Sequence, residues 1–161
     1  MAEKPTDTKA RLEMMHIGIN AAKSGDLLQA LSVLTDVYVD GFDRLTTDGV
    51  SYYGLALGLV RKKNKEAIDI CKHAIRIQPL NPHNFVNLAK VYTAAGFRKK
   101  AVATLEEGLA RNGKSRIILS YWKTLGYRQR PVLPFLSRDN ALNVKLGRSR
   151  KYKEDETKGK G

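Results

Sequence analysis

A helix pair that cannot close its own core constrains this chain more than any other feature. Residues 81–113, NPHNFVNLAKVYTAAGFRKKAVATLEEGLARNG, place Phe85, Leu88, Ala89 and Tyr92 at helical spacing, so one face of a first helix is apolar. Gly96 then supplies a positive-φ position for a turn, and Ala101, Leu105 and Leu109 stripe a second helix at i, i+4 and i+8. Two such stripes pressed together still leave apolar edges in water. The pair needs a neighbour.

The chain repeats the same design. The small residue that opens each second helix recurs at Ala30, Ala67 and Ala101, with separations of 37 (67 − 30) and 34 (101 − 67) residues. Met14, Ile17, Gly18, Ala21, Gly25, Asp26, Ala30 and Leu34 follow one order of large, small and turn residues. Tyr52, Leu55, Ala56, Leu59, Ala67, Cys71, Ala74 and Pro79 follow it again. The third copy reads Phe85-x-x-Leu88-Ala89-x-x-Tyr92, then Ala101-x-x-x-Leu105. On these residues, and on a period near 34, the chain resembles the tetratricopeptide repeat family over residues 11–113. Pro79 and Gly113 stand where that family ends a repeat. The resemblance implies an all-α solenoid, a superhelix of three helix–turn–helix pairs. Segment 115–125, with Ile118, Leu119, Trp122 and Leu125 on one side, reads as the capping helix that closes its exposed end.

The division expected is a flexible leader over 1–10, the repeats with their cap over 11–126, and a basic extension over 127–161. Within the repeats, helices are expected over 8–23 and 27–39, turning at Ser24-Gly25-Asp26. The long link 40–49 accounts for the irregular 37-residue spacing, and Asp48 is placed to cap the helix that follows it and runs to residue 62. Asn64 is the expected left-handed turn residue before a helix over 65–78. Beyond Gly126, the proline-broken run 130–136 is expected to be extended, 141–146 a short helix and 148–161 disordered.

Composition bounds the class. The single cysteine excludes an internal disulfide and fits a reducing compartment. The start, MAEKPTDTKARLEMM, has no apolar signal region, and the longest apolar run, 52–60, is too short to span a bilayer, so a soluble, cytoplasmic protein is expected. The net charge of +13 is uneven: residues 1–110 carry 15 Lys+Arg against 12 Asp+Glu, and residues 111–161 carry 14 against 4. The excess belongs to the last third.

No catalytic constellation stands out. Gly108-Leu-Ala-Arg-Asn-Gly113-Lys114-Ser115 satisfies the phosphate-loop pattern G-x-x-x-x-G-K-S letter for letter. That loop must follow a buried strand, whereas Gly108 falls inside a predicted helix and Gly113 reads as its terminating glycine. Cys71 and His73 point to different faces of one helix, and His16, His73 and His83 lack ligand companions, so neither a metal nor another cofactor is expected. Gly54 and Gly58 read as close-packing positions rather than a membrane motif.

Partner binding is the expected activity, and the resemblance implies where. In that family a partner lies along the concave face formed by the first helix of each repeat. Here that maps to Leu12, Met15 and Ile19, then Val50, Tyr53, Leu57 and Val60, then His83, Val86, Asn87 and Lys90. The largely apolar character suits an apolar peptide or helix, unless these side chains are interior or residues 132–136 fill the groove. The carboxylate-binding mode of the family's cochaperones is not expected, because its positions fall on Met15, Ile19, Gly54, His83 and Asn87, without Lys or Arg. Basic residues gather instead at the helix turns: Lys23, then Arg61, Lys62, Lys63 and Lys65, then Arg98, Lys99 and Lys100. The reading is a non-enzymatic protein–protein interaction module, an adaptor or scaffold. Alternatives are a small secretion-type chaperone and a nucleic-acid- or ribosome-associated factor that uses the basic ridge and tail on an anionic surface.

Overall fold

Apolar stripes become helices here, two of them with a side-chain cap at the start. The computed structural model describes residues 8–39, 41–42, 47–126, 141 and 145, and every regular element among them is helical. Helix α1 (Thr8–Ser24) turns back into α2 (Leu27–Val37), and a short 3₁₀ turn (Thr47–Gly49) leads into α3 (Val50–Arg61). Then follow α4 (Asn64–Ile77), α5 (Pro82–Ala94), α6 (Arg98–Asn112) and α7 (Arg116–Thr124). The expected all-α class holds. By contact density the chain divides into Met1–Leu125 and Gly126–Gly161. In the second unit Ala141 and Lys145 are helical; residues 8–10 of the expected leader over 1–10 already belong to α1, and the expectations for 1–7, for the run 130–136 and for 148–161 lie outside the described residues.

Two of the starts are chemical, whereas α3, α4, α6 and α7 begin without a side-chain cap. The Asp26 carboxylate accepts the Gln29 N–H at 3.0 Å and begins α2. The Asn81 side-chain oxygen accepts the His83 N–H at 3.1 Å, and Pro82 occupies the first turn of α5, where its missing N–H is harmless. The stops are conformational. Gly96 takes φ 80°, and the Phe97 N–H reaches back to the Tyr92 carbonyl at 2.8 Å, closing α5.

Two expected turn residues are corrected. Asp48 does not cap α3, whose N-cap is Gly49; Asp48 sits inside the 3₁₀ turn, and its carboxylate accepts a hydrogen bond from the Gln78 side chain, tying the turn to the end of α4. The left-handed residue between α3 and α4 is Lys62 (φ 58°), not Asn64, which is already the first residue of α4. A two-residue turn must reverse immediately after α3 ends. The exposed Lys62 therefore bears a strain of roughly 1–2 kcal/mol.

Each helix packs on the next along the chain. In addition α1 touches α3, α3 lies along α5, and α5 lies along α7, so the alternate helices form a row of their own. Met15, Leu34, Val37 and Val50 centre one core cluster, drawn from α1 to α3 with Ile70 and Ala74 of α4. Phe85, Leu105, Ile118 and Cys71 centre a second, drawn from α4 to α7 with Leu55 of α3. Close approach of α3 to α4 explains its glycines: a Cβ on Gly54 would lie 2.7 Å from Cys71 Sγ, and one on Gly58 2.9 Å from the Ala67 Cβ. Likewise a Cβ on Gly108 would meet Phe85 at 2.8 Å and Ile118 at 2.9 Å. The run Gly108 to Ser115 is thus the end of one helix and the link to the next, and Gly113 is the residue that stops α6.

Cys71 is fully buried, its Sγ within 3.5 Å of the Ser51 carbonyl, and burial pushes its thiol well above the ordinary range. The expected outcome is that a thiol reagent labels native Cys71 only as fast as the core opens. Labelling within the mixing time at neutral pH would show that α3 does not stay seated on α4.

Candidate functional site

The row of alternate helices leaves a cleft between them. Its volume is about 480 Å³, and α1, α3, α5 and α7 all contribute to its walls. Lys23 comes from the last turn of α1, Tyr52 from α3, and His83, Asn87 and Lys90 from successive turns of α5. Arg116, the first residue of α7, and Tyr121 close the far side.

Local structure fixes these groups. The Asn81 cap and Pro82 start α5 one residue before His83, whose ring centroid lies 5.9 Å from that of Tyr52. Asn87 is 2% exposed, and its amide donates to Ser51 Oγ at 3.0 Å, which pins α5 to α3. The ammonium groups of Lys23 and Lys90 lie 5.8 Å from the ring centroids of Tyr52 and Tyr121 respectively. The Tyr121 hydroxyl donates to Thr93 Oγ1 at 3.3 Å, which sets α7 against α5.

The charge in this cleft is of one sign. Helices α3, α5 and α7 contain no Asp or Glu. The acids lie on intervening helices, such as Asp36 of α2, Glu66 and Asp69 of α4, and Glu106 and Glu107 of α6, while α1 carries the exposed Glu13. Among the described residues, the ion pairs Lys63–Glu66 (3.1 Å) and Arg111–Glu107 (2.7 Å) lie away from the cleft, and none involves Lys23, Lys90 or Arg116. The titrating groups register this. Burial, then Lys23 and Lys90, hold His83 below its ordinary value. Burial lowers Lys90 as well. Burial, with a smaller push from Asp48, raises the Tyr52 phenol to about 12.

The residues assigned to an apolar groove divide between two places. Met15, Ile19 and Leu57 are 2%, 6% and 5% exposed and belong to the first core cluster, with Leu12, Tyr53 and Val60 packed against it. These six are drawn inward because α1 and α3 close on one another and on α2. Val86, Asn87 and Lys90 line the cleft, but Val86 and Asn87 are themselves buried (6% and 2% exposed), Val86 as a member of the second core cluster, and only Lys90 is partly open. The absence of cations inferred at the carboxylate-binding positions does not describe the cleft, since Lys23, Lys90 and Arg116 reach it from neighbouring turns. Of the turn ridge, Lys23, Arg61, Lys62, Lys63, Lys65, Arg98, Lys99 and Lys100 are all exposed. Lys63 is engaged by Glu66, Arg98 donates to the Leu125 carbonyl, and the Lys100 ammonium sits 4.8 Å from the Phe97 ring centroid.

A larger cavity, about 700 Å³, runs along α4 beneath Phe42, whose ring stacks on His73 at 5.6 Å. Its rim mixes Lys63 and Lys65 with Glu66 and Asp69, so it has no net electrostatic preference. Among the described residues, no three of His, Cys, Asp and Glu gather where they could hold a metal, and no helix is long and apolar enough to cross a membrane. No family model and no curated protein matches the chain.

Proposed function

We propose that the protein is a non-enzymatic recognition module of the tetratricopeptide type, stacking its helix pairs as a solenoid and holding a segment of a partner protein in the cleft between α1, α3, α5 and α7. The observation that carries this reading is the row of alternate helices: it gives one concave, four-walled site whose polar groups are set by caps and core hydrogen bonds. Such pre-positioning lowers the ordering cost of binding. The chaperone version loses its support, because Met15, Ile19 and Leu57 are in the core.

The test is site-specific photocrosslinking in cells. A photoreactive residue at Ile117, which lines the cleft and is 38% exposed, is expected to give discrete protein adducts. The same group at Leu28 of α2, 72% exposed, is expected to give none of them. Identical adducts from both positions, or adducts from Leu28 alone, would remove the cleft from consideration.

A further inference from the structure

Local preferences are broken repeatedly along one edge of the helical unit. Lys62 holds a left-handed conformation (φ 58°) that glycine or asparagine adopts at less cost. Lys63 and Phe97 begin α4 and α6 without a side-chain cap, although Asp26 and Asn81 cap α2 and α5. Arg98, Lys99 and Lys100 fill the first turn of α6, where the helix macrodipole repels cations. Departures of this kind gather where a surface serves something other than folding. We propose that this edge docks the protein on an anionic lipid bilayer, with its cations among the headgroup phosphates and Leu28 and Phe97 entering the apolar layer beneath them.

Topology makes the edge continuous. The short turns after α3 and α4 reverse the chain twice, so α3 and α5 run in the same direction. A Cβ on Gly58 would lie 3.3 Å from Val91, and each of these residues stands one turn before the end of its helix. The α3/α4 and α5/α6 turns therefore sit side by side, about 8–10 Å apart. Leu27 and Leu59 both pack against the second core cluster, which brings the start of α2 to the same end of α3. Arg98 donates to the Leu125 carbonyl and ties in the end of α7, with its exposed Lys123.

The charge is of one sign and in large part unspent. Arg61, Lys62, Lys65 and Lys99 are exposed, and no hydrogen bond or ion pair holds their side chains among the described residues. Of the acids at these turns, Glu66 is paired with Lys63, and Asp26 accepts the Gln29 N–H. None of these cations lines the cleft. Each cation brought to an anionic surface strengthens binding about fivefold, and the chain's net charge of +13 favours the approach. The apolar members select lipid over other polyanions. Leu28 is 72% exposed and Phe97 46%, at turns on either side of the α3/α4 cations. The Lys100 ammonium lies 4.8 Å from the Phe97 ring centroid, so the ring can sink while its cation stays with the phosphates. A nucleic-acid single strand would need an open aromatic face for its bases, and Lys100 sits over that of Phe97. A duplex offers phosphates but no apolar layer for Leu28.

The experiment is co-sedimentation of the full chain with vesicles of phosphatidylcholine, alone or mixed with phosphatidylglycerol, in salt of about 0.1 M and about 1 M. A fluorescent DNA duplex is titrated beside them. The wild type is expected to sediment with the anionic vesicles in low salt, to lose most of that binding in high salt, and to ignore the zwitterionic ones. Lys62→Gly and Lys99→Gln are each expected to weaken vesicle binding about fivefold, with urea midpoints no lower than the wild type's, because each also relieves a local cost. Leu28→Ser is expected to weaken it at an unchanged midpoint, and to leave any duplex binding as it was. Lys72→Gln, in the middle of α4, makes the same change of charge and is expected to alter nothing. Failure to sediment with the anionic vesicles, equal sedimentation with both kinds, or equal losses from Lys72→Gln and Lys99→Gln overturns the proposal. So does vesicle binding indifferent to Leu28→Ser; if duplex binding then falls with Lys62→Gly and Lys99→Gln, the edge serves a nucleic-acid backbone instead.

Discussion

Truncating Phe85 to alanine is expected to lower the unfolding free energy of the helical unit by about 3–5 kcal/mol. Phe85 is fully buried and, with Ile118, packs around Gly108 at the junction of α5, α6 and α7. The Arg111 guanidinium, 5.9 Å from its ring centroid, also loses its aromatic face. Urea unfolding followed by far-ultraviolet circular dichroism measures the change. Phe97→Ala is the matched comparison. That ring is 46% exposed and interacts with Lys100, so its loss is expected to cost about 0.5–1 kcal/mol. Equal costs for the two substitutions would mean that the second core cluster is not packed as described.

Asn84→Asp is the second large effect, and its pH dependence is its signature. Asn84 is fully buried, and its amide donates to the carbonyls of Ala74 at 3.0 Å and Gln78 at 3.2 Å, satisfying the end of α4. A carboxylate there donates nothing and faces the negative end of a helix. The penalty of such an uncompensated buried charge is about 3–5 kcal/mol at neutral pH. The introduced carboxyl would be harder to ionise folded than unfolded, where its value is about 3.9. The folded state thus binds the extra proton, and stability falls as pH rises from about 3.9 through the raised folded value. Thermal midpoints of variant and wild type should converge in acid and separate towards neutrality. A gap that does not change with pH would place the side chain in contact with water.

The helices were legible because their signals are local. Asp26 and Asn81 cap, Gly96 and Gly113 stop, and the Ala30, Ala67 and Ala101 positions are all fully buried. Lys62 was missed because its left-handed conformation follows from the length of the turn, which only the packing of α3 on α4 decides. The fate of Asp48 depended on Gln78, a partner 30 residues away. The cleft was half legible. His83, Asn87 and Lys90 follow from one stripe of α5, but Arg116 and Tyr121 come from the closing helix and Lys23 from a turn. Periodicity records which face a residue occupies. It does not record whether the next helix covers that face, which is what separates the buried Met15 and Leu57 from the partly open Lys90. A signal that was available is negative: α3, α5 and α7 are free of acids, whereas α2, α4 and α6 are not.

The division of the core into two clusters bears on how the chain folds as it is made. Every residue of the cluster around Met15 and Leu34 lies at or before Ala74, whereas Leu105, Ile118 and Leu125 of the other come much later. Nothing in the first cluster waits for the third helix pair to be synthesised, and its loops are short to close. A ribosome-bound chain that has extruded α1 to α4 can already bury Met15, and it exposes mainly the face of α3 and α4 on which α5 will settle.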